Sequence, residues 1–261
     1  MQPRHAGLGT LSLLSVAALA GVVGDAGHEL AHTVVAMFTP GVSLQQISTI
    51  GLSSVGTSPW IALAGPAFNL CAALTLLLAR SAGLPPSWRY VAWVVGTFNL
   101  FNAVAYLVYS ALLGSGDWAT VFAGVAHPAA WRIPLGIAGV LGYWAAIRMA
   151  ASGLATLCAD GVLSADEATR ACRVSYLGFG ALLTLGALFN PISWTLVFSS
   201  GVATGFLAMA GMLALPASLP ASLPVALAER GALRLGMAWR IAGVLASLWF
   251  VAVMGPGIRL G

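Results

Sequence analysis

Two histidines four residues apart, with a glutamate directly after the first, stand at His28-Glu29-Leu30-Ala31-His32. On a helix, residues i and i+4 project from one face, so His28 and His32 can offer two imidazole nitrogens to one metal ion. Zinc is the metal that this pattern suits, and it lowers the pKa of a water ligand to about 7. Glu29 would then act as the general base that takes a proton from the activated water. Asp25 lies one turn earlier on the same face and is read as a carboxylate that orients one of the ligands.

A catalytic zinc takes three protein ligands and keeps a fourth position open. The third ligand must come from Asp117, His127, Asp160, Asp166, Glu167 or Glu229, because the chain has only seven acids and four histidines. At a rise of about 1.5 Å per residue, His28 lies about 30 Å along a helix that begins near Leu8. A third helix running in the same direction delivers Asp117 just beyond its own far end, and Asp117 is therefore the expected ligand. His127 falls on the same side, but His127-Pro128 reads as a loop. The acids of Ser164-Ala165-Asp166-Glu167 read as a solvated helix start with a capping box.

The elements that must hold these residues are membrane helices. Of 261 residues, 59% are hydrophobic and 7% charged, far from the quarter or so of charged residues in soluble domains. An ionisable residue inside the bilayer costs several kcal/mol unless it is paired, so four of them on one apolar helix demand a role. Seven apolar stretches are long enough to cross: Leu8 to Met37, Pro59 to Ala79, Tyr90 to Leu113, Trp131 to Ala151, Val174 to Asn190, Ile192 to Leu215 and Ala238 to Gly255. The fifth and sixth are parted only by Asn190-Pro191, so the count is six to seven. The first resembles a secretion signal, yet it continues to Phe38, too long for one, and reads as a membrane helix.

Thr39 to Ser58 carries no charge and intersperses Val42, Leu44, Ile47 and Ile50 with Ser, Gln and Thr, the pattern of short strands or a re-entrant element. It could pair with a substrate strand, or equally be an ordinary loop at the surface. Ser152 to Arg173 reads as a polar connection, and Leu215 to Pro224, with a proline at every fourth position, as a linker. The residues around Glu229, Arg230 and Arg234 read as an interfacial helix. All eleven basic residues are arginine. Seven crossings place nine of them, from Arg4 to Arg240, on one side, with only Arg132 and Arg259 opposite, as the positive-inside rule asks. Such a distribution points to lipid headgroups and not to nucleic acid. Cys71, Cys158 and Cys172 form no CxxC pair and are expected as free thiols.

Taken together, His28-Glu29-Leu-Ala-His32, Ala64-Gly65-Pro66-Ala-Phe-Asn69, Phe98-Asn99-Leu-Phe-Asn102 and Gly114-Ser-Gly-Asp117-Trp118 resemble the site-two protease family of intramembrane zinc metalloproteases. The resemblance covers about residues 20 to 120. It implies that a three-helix core at 1–120 cleaves a membrane-embedded protein substrate, with Asp117 as third zinc ligand. It also implies that Asn69 or Asn102 holds the substrate backbone or the developing oxyanion. Residues 121–261 would be accessory helices. The chain departs from the family in having Ala31 where glycine is usual, and in the Gly-Ser-Gly-Asp117 stretch. Family members generally place the site nearer the cytoplasm, whereas the charge count here places it in the leaflet away from the arginines.

The fold expected is thus an all-α integral membrane protein with a short extended segment after its first helix, set in a bacterial-type cell membrane. The function expected is a zinc-dependent intramembrane endopeptidase. A metal-handling or transport protein is the alternative, against which stands the lack of repeated halves. A non-catalytic membrane chaperone is a third reading, against which stands the intact Glu29.

Overall fold

The computed structural model describes residues 8–79, 83–190, 195, 197–219 and 233–261. Among the described residues, seven helices are long and apolar enough to cross a membrane. They are α1 (Thr10–Met37), α2 (Pro59–Leu78), α3 (Pro86–Leu113), α5 (Pro128–Ala159), α6 (Ala165–Leu188), a sixth span Gly201–Ser218, and α7 (Met237–Trp249), which continues to Met254. A short α4 (Asp117–Val121) follows α3. The chain is thus a helical multi-pass membrane protein by length and composition, as its hydropathy foretold. Its outer surface agrees: Ile133, Ile137, Val140, Leu141 and Trp144 on α5, and Ile241, Leu245 and Leu248 on α7, are all exposed. An apolar belt of this size suits lipid and not water.

Several boundaries differ from those read in the sequence, and prolines account for two of them. Pro86 and Pro128 open α3 and α5, since proline is preorganised for the first helical turn and its missing N–H is no loss there. The polar connection expected over Ser152 to Arg173 shrinks to the turn at residues 160–164. Leu154, Leu157, Cys158, Ala168, Ala171 and Cys172 are buried, so an apolar face continues beneath the polar residues and carries both helices on. Ser164 does cap α6 through the expected box: its hydroxyl accepts from Glu167 N–H, and Glu167 accepts from Ser164 N–H. The sixth span begins as a π-helix, Val197–Leu207, and ends in tight 3-10 turns, the second of them Leu215–Ser218 at the start of the proline repeat. Arg4, Arg80, Glu229 and Arg230, with most of the expected linker and interfacial helix, lie outside the described residues.

α1 packs against α2, α6 and α7, while α3 lies against α1, α2 and α5. Side-chain bonds show which ends meet. Arg170, near the start of α6, donates to Thr10, and Arg240, near the start of α7, to Ser12. Arg89 at the start of α3 pairs with Asp160 at the end of α5. Arg132, near the start of α5, instead donates to Ala111 O and Leu112 O at the end of α3. Arg89, Arg170 and Arg240 therefore gather at the end where α1, α3, α6 and α7 begin, with Arg132 at the opposite end. His28 lies eighteen residues past Thr10, about 27 Å along α1 and toward the other end.

After α1 the expected extended segment is present as a hairpin, β1 (Ser43–Ser48) and β2 (Gly51–Val55), with an irregularity between Leu44 and Gln46. Its two-residue tip is Thr49-Ile50, and Gly51 follows with φ 147. A third strand, β3 (Ile258–Arg259), was not foreseen: it joins the far side of β1, giving the order β2-β1-β3. Two residues are too few to carry a strand pattern, and their pairing is decided by where α7 delivers them.

Candidate metal centre

His28 and His32 meet Asp117 as expected. His28 Nε2 lies 3.1 Å from Asp117 Oδ2 and His32 Nε2 3.2 Å from it, while the two Nε2 atoms are 3.0 Å apart. Parallel packing of α1 and α3 brings this about, followed by a turn that sends the chain back across α1. Gly114 ends α3 in the left-handed conformation (φ 65), and Gly116 (φ 83) precedes α4. Asp117 is the first residue of that short helix, near the partial positive charge of its start.

A carbonyl of α2 fixes the ring of His32. Pro66 supplies no N–H to Ala62 O, and a proline ring pushes open the turn before it. In that turn Ile61 O accepts a hydrogen bond from His32 Nδ1–H at 2.5 Å. With its proton on Nδ1, the neutral ring turns the Nε2 lone pair toward His28 and Asp117. Lone pairs of two imidazoles and a carboxylate so close together repel unless a cation or protons lie among them. In the metal-free protein, burial opposes ionisation of Asp117, but hydrogen bonds from His28 and His32 prevail and hold its carboxyl down at about 2. Glu29 extends the cluster, for ligand atoms of His28, Glu29 and His32 all lie within 4.8 Å of one another. This group can hold a metal ion. Asp117 is nearer to both imidazoles than that span, which leaves Glu29 free for another task. Glu29 is buried, and among the described residues its Oε2 has no hydrogen-bond partner.

Two cavities meet at this cluster. The larger, about 310 Å³, is a cleft lined by His28, Glu29, His32 and Asp117 together with Gly51, Leu52 and Ser54 of β2. The smaller, about 60 Å³, is a polar chamber lined by Asp25, Thr49, Asn102, Tyr109 and Thr204. His28, Glu29, Ile50 and Tyr106 border both. Asp25 therefore sits beside the cluster, but it makes no hydrogen bond to either histidine among the described residues, and Ile61 orients His32 in its place. Asn102 lines the chamber. Asn69 is buried, neither of its amide atoms is bonded among the described residues, and it borders neither cavity. His127 precedes α5 and is exposed, outside the cluster.

Sequence reasoning missed four contributors. Gly65 is the most telling: a Cβ there would lie 2.5 Å from His28 Nε2 and closer still to His32 Nε2. The Gly65-Pro66 pair reads as a packing device, and the structure shows what it packs against. Tyr106 follows Asn102 by one turn on the same face of α3, a spacing that could have revealed it. The Ile61 carbonyl and Thr204 carried no signal, because backbone groups and lone threonines look alike everywhere in such a chain.

Comparison with known proteins finds no matching family model, curated protein or solved structure.

Proposed function

We propose that this chain is a zinc-dependent endopeptidase of a bacterial-type cell membrane, hydrolysing a peptide bond in a membrane-embedded protein. The observation that carries the reading is the convergence of His28, His32 and Asp117 beside a buried Glu29 whose Oε2 has no hydrogen-bond partner among the described residues. Donors held at about 2.0–2.1 Å around a tetrahedral zinc are spaced about 3.3 Å apart. The three distances here, 3.0 to 3.2 Å, fit that set. When bound, zinc would lower the pKa of a water to about 7 and polarise the scissile carbonyl.

The chain's own residues would do the rest. Glu29 takes one proton from the attacking water as its oxygen adds to the carbonyl carbon. It then returns that proton to the amide nitrogen as the C–N bond breaks, which balances the hydrolysis. The outer edge of β2 has no strand partner among the described residues, and Gly51, Leu52 and Ser54 place it along the cleft. A substrate segment must leave its helix before its amide can be reached, and an unpaired strand edge gives the released backbone groups new partners. The likeness to site-two proteases supports the same assignment. Asn102, on the chamber wall, is better placed than Asn69 to act near the reacting atoms.

The test is purified protein in liposomes, stripped with a chelator and reloaded with zinc, supplied with a membrane-embedded substrate protein. Zinc should restore cleavage within the substrate's membrane segment. Fully loaded protein that yields no products from any such substrate would overturn the reading.

A further inference from the structure

In the protease reading the cleft itself still lacks a donor, because Asn102 borders the smaller chamber and not the cleft. Addition of water to a carbonyl creates a tetrahedral oxyanion, which needs a positioned hydrogen-bond donor. The groups nearest the metal position are acceptors: two carboxylates and two Nε2 lone pairs.

The side-chain hydroxyls that line the cleft are Ser54, Thr57, Tyr106 and Thr120. Ser54 donates to Gly56 O and Thr120 to Gly116 O, so both protons are already used. Thr57 is exposed. Tyr106 differs from all three. Its Oη accepts a hydrogen bond from Asp117 N–H at 3.2 Å, which takes a lone pair and leaves the phenolic proton. Among the described residues that proton has no acceptor, and the half-buried side chain leaves it free to donate into the cleft. The ring lies edge-on to His28, with centroids 6.0 Å apart. The side chain borders both cavities together with Glu29. The hydroxyl is also held in place from the far side. Gly116 passes over it with φ +83, and a Cβ at that position would come within 2.6 Å of Oη, so only glycine leaves room for the phenol.

We infer that Tyr106 is a further catalytic residue, donating its phenolic O–H as a hydrogen bond to the oxyanion of the scissile carbonyl. The assignment rests on the protease reading above. It gives one side chain two tasks: its lone pair positions Asp117, and its proton meets the negative charge that develops in the cleft.

The experiment compares wild-type protein with Tyr106→Phe and Trp118→Ala, each full-length and zinc-loaded. Metal content is measured first, then the affinity of a short apolar peptide whose scissile amide is replaced by a phosphinate, then cleavage. Phosphinate oxygens stand in for those of the tetrahedral oxyanion. Tyr106→Phe should keep stoichiometric zinc and an unchanged KM, and lose about 100- to 1000-fold in kcat, the usual effect of deleting one oxyanion donor. Phosphinate affinity should fall by a similar factor. Trp118→Ala disturbs the α4 packing without touching the hydroxyl, and it reports what loosening Asp117 alone does. Equal phosphinate affinity in wild type and zinc-loaded Tyr106→Phe would overturn the assignment. So would a loss of activity in Tyr106→Phe that only follows a loss of zinc, as in Trp118→Ala. A wild type that cleaves nothing, yet binds the phosphinate more tightly than Tyr106→Phe, would strike the protease reading and leave the hydroxyl's role as anion donor standing.

Discussion

Replacing Gly65 by alanine adds one methyl group at the point where α2 meets the two histidines. Its Cβ would lie 2.5 Å from His28 Nε2, 2.6 Å from His28 Cδ2 and closer to His32 Nε2, an overlap of about 1 Å against an ordinary contact of about 3.5 Å. Neither side can yield easily. Gly65 lies within a helix and is followed by Pro66, and the rings are tied to Asp117 and to Ile61 O. Forcing an extra methylene into a packed site costs about 1–3 kcal/mol. The strain falls on the ring orientation that aims both Nε2 atoms, so it should appear as about a 5- to 150-fold loss of metal affinity. The assay is zinc content by mass spectrometry after dialysis against graded chelator, with a thermal melt to check the fold. Gly96→Ala is the control, because its Cβ meets Leu77 Cγ at 2.8 Å on the α2–α3 contact, well away from the rings. It should lose stability but keep its metal. Wild-type zinc affinity in a folded Gly65→Ala protein would refute the placement of the rings, and with it the site.

Glu29→Gln should keep the metal and the fold, since glutamine is nearly isosteric, and lose about a hundredfold to ten-thousandfold in cleavage rate; wild-type cleavage would remove Glu29 as base. Alanine at His28, His32 or Asp117 should strip the metal, whereas His127→Ala should retain it, as metal analysis of the four purified variants would show. In metal-free protein the Asp117 carboxyl is held at about 2, below its ordinary 3.8. A depressed carboxylate stabilises the fold above its unfolded pKa, and that contribution is lost as pH falls from about 4 to about 2. Melting of apo wild type should therefore drop toward apo Asp117→Asn over that window, and parallel curves would contradict the ion pair. In a cysteine-free background, single cysteines at Ser54 and Ser218 should react with an impermeant thiol reagent from opposite faces of the membrane. Labelling of both from one face would break the seven-span topology.

Much of this protein follows from local sequence. Hydropathy counted over about 20 residues suffices for membrane helices, because each satisfies its own backbone whatever its neighbours do. The spacing of His28, Glu29 and His32 is likewise a local matter, fixed by the helical period, and Asp117 could be reached by helix length and direction alone. The uncharged stretch after α1 announced strands because alternation survives in a short run. What the sequence could not contain is which surfaces meet. Gly65 has meaning only once α2 crosses α1 at the histidines, and Ile61 contributes a carbonyl that every residue possesses. Tyr106 becomes distinctive only when Gly116 leads the chain back over its hydroxyl. Asn69 and Asn102 look equivalent as letters, yet the packing of α2 and α3 buries one away from both cavities and sets the other in the chamber wall. The shared face of His28 and His32 is set by helical periodicity, which is local. Their orientation and the shape of the cleft are set by contacts between residues far apart in the chain, and those exist only in the folded protein.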